Sequence, residues 1–165
     1  MSSASPAADS DRLSVPRLVG FAGLGVPTTM LGVVLAVFAP RFYAGHVGLG
    51  LAAAGFAFTI VRLIDVAFDP FVGVAMDATK TRIGKYRPWI LASAPIIMIS
   101  IWRLLIPPAG ADSLYLIFWL VVLYAGSSMF NLGQAAWAAN LATGYDDRSR
   151  IYGWMQMIGV AAALV

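Results

Sequence analysis

The chain has 165 residues, 60% of them hydrophobic and 12% charged, with a net charge of +3. A soluble domain carries about 25% charged and 45–50% apolar residues, so the composition excludes an ordinary soluble protein and indicates an all-α membrane protein. Cysteine is absent, which excludes disulfides, thiolate metal sites and a cysteine nucleophile, and the basic residues flank apolar runs, which argues against a nucleic-acid partner.

The segment 1–16 is polar and rich in Ser, Ala and Asp, and reads as a disordered tail. The apolar stretch after it is too long for a signal-peptide core, so an uncleaved first helix is expected. The remainder, 17–165, reads as one transmembrane bundle, incomplete at its end. A spanning helix needs about 20 apolar residues. On that measure the spans fall near 18–39, 47–78, 89–106 and 114–141, and a fifth, 151–165, is cut short. The first is expected to stop before Pro40-Arg41, and the third at Pro107-Pro108. Glycines in the first two spans (Gly20, Gly23, Gly25, Gly32, Gly48, Gly50, Gly55) are expected to permit close helix packing. His46, in the first loop, reads as a solvated side chain.

Arg12, Arg17, Lys80, Arg82, Lys85, Arg87, Arg148 and Arg150 all fall on one side of such a bundle, while Arg41 lies opposite. The positive-inside rule then puts the N-terminus in the cytoplasm of a plasma (inner) membrane protein.

The second span carries Arg62, Asp65 and Asp69. A charge at the bilayer centre costs roughly 2.5–3.5 kcal/mol on insertion scales. The i, i+3, i+7 spacing puts all three within about 60° of one another on the helix. One guanidinium beside two carboxylates leaves a surplus negative charge, which H⁺ or Na⁺ neutralises. A neutral cluster crosses an occluded, apolar state more cheaply than a charged one, so the stripe points to ion-coupled transport. The alternative is an ion-pair network that fixes helix packing. Asp69-Pro70 puts a proline beside the carboxylates, where a kink frees a backbone carbonyl.

Immediately after comes Gly73, Asp77, Lys80, Arg82, Gly84, Lys85 and Arg87. Gly73 permits close helix approach, Asp77 can pair with a neighbouring Arg, and Gly84 suits a tight turn. The cluster reads as a cytoplasmic gate, with simple positive-inside topology as the alternative. On the fourth span, Asn131, Gln134 and Trp137 recur at i, i+3, i+6, and either line a polar cavity or bond between helices. There is no H-E-x-x-H, G-x-S-x-G or P-loop, so no enzyme is expected.

Two runs together, R-L-I-D-V-A-F-D-P at Arg62–Pro70 and G-V-A-M-D-A-T-K-T-R-I-G-K-Y-R-P-W at Gly73–Trp89, resemble the glycoside–pentoside–hexuronide:cation symporter family. That family is the melibiose-permease-like branch of the major facilitator superfamily. G-Y-D-D-R-S-R at Gly144–Arg150 is similar to the family's motif after its fourth helix. The resemblance implies the N-terminal half of a major-facilitator-type helical bundle, with four complete helices and part of a fifth. It implies a sugar or glycoside:cation symporter working by alternating access, with no cofactor beyond the coupling cation. Asp65 and Asp69 would take that cation, and would be metal ligands only if it is Na⁺. Arg62 would pair with them or lie near the sugar. Trp137 matches a tryptophan on which a sugar ring stacks, and Gln156 falls where sugar transporters of the group place an arginine.

The departures are Gly25 and Gly133 in place of sugar-binding acids, Phe68 in place of an Asn, and Phe130 in place of a sodium-site Thr. With those oxygens gone, H⁺ is favoured over Na⁺, because a proton needs one carboxylate. The phenylalanines also raise a carrier of a more amphipathic or lipid-like solute. A truncated, non-transporting membrane protein is the rival from another class. The expected partners are a sugar or glycoside, membrane lipid and the remaining half of the transporter.

Overall fold

The computed structural model describes residues 15–45, 47–141 and 145–164. The tail before them, His46 and Gly144 lie outside the described residues, as do the side chains of Arg17, Asp146 and Asp147. The described elements are all helices: α1 (Val15–Gly23), α2 (Val26–Gly45), α3 (Leu51–Ala78), α4 (Arg87–Leu105), α5 (Ser113–Leu141) and α6 (Tyr145–Leu164).

Four helical stretches are long and apolar enough to cross a membrane: Leu18–Gly45, Leu51–Ala78, Arg87–Leu105 and Ser113–Leu141. Their surfaces are those of a lipid-facing protein. Phe56, Leu63, Val66, Phe71 and Val74 stand exposed, while Ser93, Ser100, Ser128 and Gln134 are buried. In lipid the apolar side chains need no cover, and polar ones turn to other helices.

The first stretch breaks where the sequence does not lead one to expect. α2 runs through Pro40 to Gly45, past the expected stop at Ala39, and the interruption falls at Leu24–Gly25 instead. Membrane helices tolerate proline because neighbouring groups re-satisfy the freed carbonyl. At the break, the Gly25 carbonyl accepts from the Thr28 hydroxyl (3.1 Å) and the Thr29 hydroxyl (3.0 Å).

The other ends have local causes. α3 starts at Leu51, after Gly48 and Gly50 at φ of 78° and 75°, a region few other residues adopt. α4 opens on Arg87-Pro88, with proline in the first turn where its missing N–H costs nothing, and closes at Ile106 before Pro107-Pro108. α5 is capped by Asp112, whose Oδ1 accepts from the Tyr115 N–H at 2.9 Å.

The chain falls into two compact units, Met1–Leu31 with Trp137–Val165, and Gly32–Ala136. In the terminal unit α1 packs on α6, around buried Leu18, Ala138 and Ile151 with Phe21, Trp154 and Met155 against them. In the central unit α2 is tied to α4 by a buried bond, with the Tyr43 hydroxyl donating to the Leu104 carbonyl at 2.8 Å. The close helix approach expected at glycines of the first two spans lies elsewhere. A Cβ added at Gly20, Gly23, Gly32, Gly55 or Gly73 meets nothing within 4 Å. One added at Gly126 would sit 3.0 Å from Ile96 and Ile97, and one at Gly133 would sit 2.9 Å from Ile90. The tight seam is therefore between α4 and α5.

Candidate functional site

The charged stripe of α3 lies in the central unit and faces α5. The Arg62 guanidinium reaches Asp65, Nη1 to Oδ2 at 3.6 Å. It also stacks over the Tyr124 ring, 5.0 Å from the centroid, a cation–π contact. The other oxygen of Asp65 accepts from Ser128: Oγ donates to Oδ1 at 3.0 Å. The contacts advance together along both helices, Arg62 with Tyr124 and Asp65 with Ser128, so α3 and α5 run in the same direction here. In a membrane bundle the single intervening span, α4, requires that direction.

Asp69, one turn further, differs. Its Oδ1 is buried with no hydrogen-bond partner among the described residues. An ionised oxygen left that way is costly, and a proton or a cation relieves it. α3 continues without a break through Pro70, and that proline deprives the Val66 carbonyl of its usual i+4 donor. A crevice of about 60 Å³ opens between the helices, with Asp65, Phe68, Tyr124 and Ala125 in its wall. That volume holds a water or an ion and is too small for a sugar. No group of three or more His, Cys, Asp or Glu fit to hold a metal occurs among the described residues.

The remaining sequence-derived candidates separate. Gln134 is buried at 3% exposure on α5, while Asn131, three residues earlier, is exposed. Trp137 and Gln156 belong to the terminal unit, where Trp137 meets Phe21 edge-to-face at 5.2 Å and Gln156 is exposed on α6. Tyr124 and Ser128 escaped the sequence reading. Neither carries a charge, and a serine in a membrane helix most often bonds its own backbone, so nothing in the sequence sets Ser128 apart from Ser127.

The turn between α3 and α4 is knit by its own neighbours. Asp77 Oδ1 accepts from the Tyr86 hydroxyl at 3.2 Å. Trp89 Nε1 donates to the Thr79 hydroxyl at 3.0 Å, and that hydroxyl donates to the Ala75 carbonyl at 2.8 Å. The Thr81 hydroxyl donates to the Gly84 carbonyl at 2.5 Å, and Gly84 sits at φ of 108°, where only glycine is at ease. Lys80, Arg82 and Lys85 point outward.

Comparison with known proteins accounts for most of the chain. The family described as MFS/sugar transport protein matches residues 20–165. An uncharacterised symporter of Bacillus subtilis is 34% identical over 91 residues, 54% of this chain and 20% of that protein. A glucuronide carrier protein homologue of Escherichia coli is 28% identical over 144 residues, 82% of this chain and 28% of that protein. A sodium-dependent lysophosphatidylcholine symporter of Mus musculus is 26% identical over 117 residues, 68% of this chain and 22% of that protein. The chain thus spans under a third of the length of each of these relatives. With four helices able to cross a bilayer and a match over nearly its full length, this multi-pass membrane protein belongs to the MFS/sugar transport protein family, the family its α3 motifs resemble.

Proposed function

We propose that the chain is part of a secondary carrier that moves a sugar or glycoside together with a cation. The observation that carries this reading is the α3 stripe. Two carboxylates share a helix face with one guanidinium, Asp65 is bonded to α5, and an oxygen of Asp69 is buried without a hydrogen-bond partner among the described residues. A purely structural ion pair needs one carboxylate per guanidinium, so the surplus acid argues for a bound cation. The family match and the similarity to a glucuronide carrier homologue support the solute class.

In this reading Asp65 and Asp69 take the cation, with Arg62, Asn131, Gln134, Trp137 and Gln156 on the solute side. The carrier alternates between inward- and outward-open states, and Gly73, Asp77, Lys80, Arg82, Gly84, Lys85 and Arg87 govern cytoplasmic closure. The basic residues beside the spans favour an N-terminus in the cytoplasm of the inner membrane. The length of the relatives supports further helices completing the bundle. We favour H⁺, because Phe68 and Phe130 stand where oxygen ligands are expected. A second reading, an amphipathic or lipid-like solute, draws on Phe68 in the crevice wall and on the lysophosphatidylcholine relative.

The test is cation-dependent solute uptake in vesicles bearing the full-length protein, with Asp65→Asn and Asp69→Asn beside wild type. Coupled uptake that both variants lose supports the reading. Equal uptake by all three overturns cation coupling and makes the stripe structural. Running a methyl glucuronide against lysophosphatidylcholine separates the two solute classes.

A further inference from the structure

We propose that Ser128 is a positioning residue of the cation site: its hydroxyl fixes the Asp65 carboxylate and so sets the cation affinity of the Asp65–Asp69 pair. The proposal rests on the cation-symport reading above.

Ser128 is 8% exposed, and the side chain of Asp65 is 11% exposed. Water has little room to replace their bond. Asp65 is held at both oxygens, Oδ1 by the Ser128 hydroxyl at 3.0 Å and Oδ2 by Arg62 at 3.6 Å. A carboxylate held at both oxygens has a preferred orientation, whereas Asp69 Oδ1 has no hydrogen-bond partner among the described residues. The pair is thus asymmetric, and α5 supplies the hydrogen bond in that asymmetry.

The oxygen expected from this helix at position 130 is missing, since Phe130 stands there. Two positions along a helix differ by about 200°, so residues 128 and 130 face opposite sides. Position 128 is the one whose hydroxyl reaches α3. The helix therefore still supplies an oxygen to the carboxylates, from a different register. Its strength depends on occupancy, because a hydroxyl bonds an ionised carboxylate about twice as strongly as a neutral acceptor. Uptake of a proton or a cation at the pair weakens or redirects the Ser128 bond. Filling the site is thereby felt on α5.

The experiment uses the purified full-length protein with the cation alone, so it requires no knowledge of the solute. Na⁺ binding is measured by isothermal titration and proton uptake with a pH-indicator dye, on wild type, Ser128→Ala, Ser128→Thr and Asp65→Asn. We expect Ser128→Ala to shift the half-saturating concentration of the bound cation by about tenfold, the weight of one hydrogen bond to a charged group. Ser128→Thr, which keeps the hydroxyl, should return it to within about threefold. A Ser128→Ala protein within about twofold of wild type for both cations, or a shift that threonine does not rescue, overturns the proposal. A wild type whose cation binding is absent or is unchanged in Asp65→Asn overturns the symport reading and this proposal with it, so the two failures are told apart.

Discussion

Two charged regions follow one another along the chain and are held in opposite ways. The stripe at Arg62, Asp65 and Asp69 takes its partners from far away in sequence: Ser128 lies 63 positions from Asp65. The turn after α3 takes its partners from within ten positions, Asp77 from Tyr86 and Thr79 from Trp89. Among the described residues the stripe keeps a buried oxygen without a hydrogen-bond partner, while the turn closes its side-chain bonds locally and leaves Lys80, Arg82 and Lys85 exposed. Local closure makes a shape that folds by itself. Dependence on a second helix makes a site whose state both helices share. We propose the locally closed turn as the cytoplasmic gate and the stripe as the cation site.

The contrast can be broken most directly at Asp69. Asp69→Asn should abolish cation-driven uptake, a fall of about a hundredfold, with the protein still inserted; retention of coupling would erase the distinction. Gly84→Ala comes next. A residue with a Cβ at φ of 108° is strained by about 1–3 kcal/mol. We expect a lower melting midpoint in detergent and slower uptake, with the cation concentration for half-maximal uptake unchanged. Trp89→Phe removes the part-buried bond to Thr79, about 1 kcal/mol, read in the same melting assay. Tyr86→Phe removes an exposed bond of 3.2 Å and should cost about 0.5 kcal/mol or less. Should either aromatic variant move the cation affinity, the turn and the stripe are one device rather than two.

The stripe was legible in the sequence because charge inside an apolar run is expensive and rare. Family and helix content were legible for the same kind of reason, since motif spacing and long apolar runs survive without any knowledge of packing. What the sequence could not give was whatever depends on which faces meet. Ser128 and Tyr124 look like ordinary span residues until α5 is laid beside α3. The glycines that matter for close approach proved to be Gly126 and Gly133, not the denser set in the first two spans, because crowding is decided by the neighbour, here Ile90, Ile96 and Ile97. Proline misled at Pro40 for a related reason: its effect in lipid depends on what else can satisfy a carbonyl.

The seam at Gly126 and Gly133 has a mechanical meaning. The two glycines lie seven residues apart, with α4 isoleucines pressed onto both, and Ser128 sits between them. Close contacts two turns apart resist independent sliding and rolling of the two helices. Ser128, bonded to Asp65 of α3, thus sits on the helix that packs closely on α4, and α4 is bonded in turn to α2 through Tyr43. Replacing either glycine by a larger residue would push the two helices apart at these isoleucines.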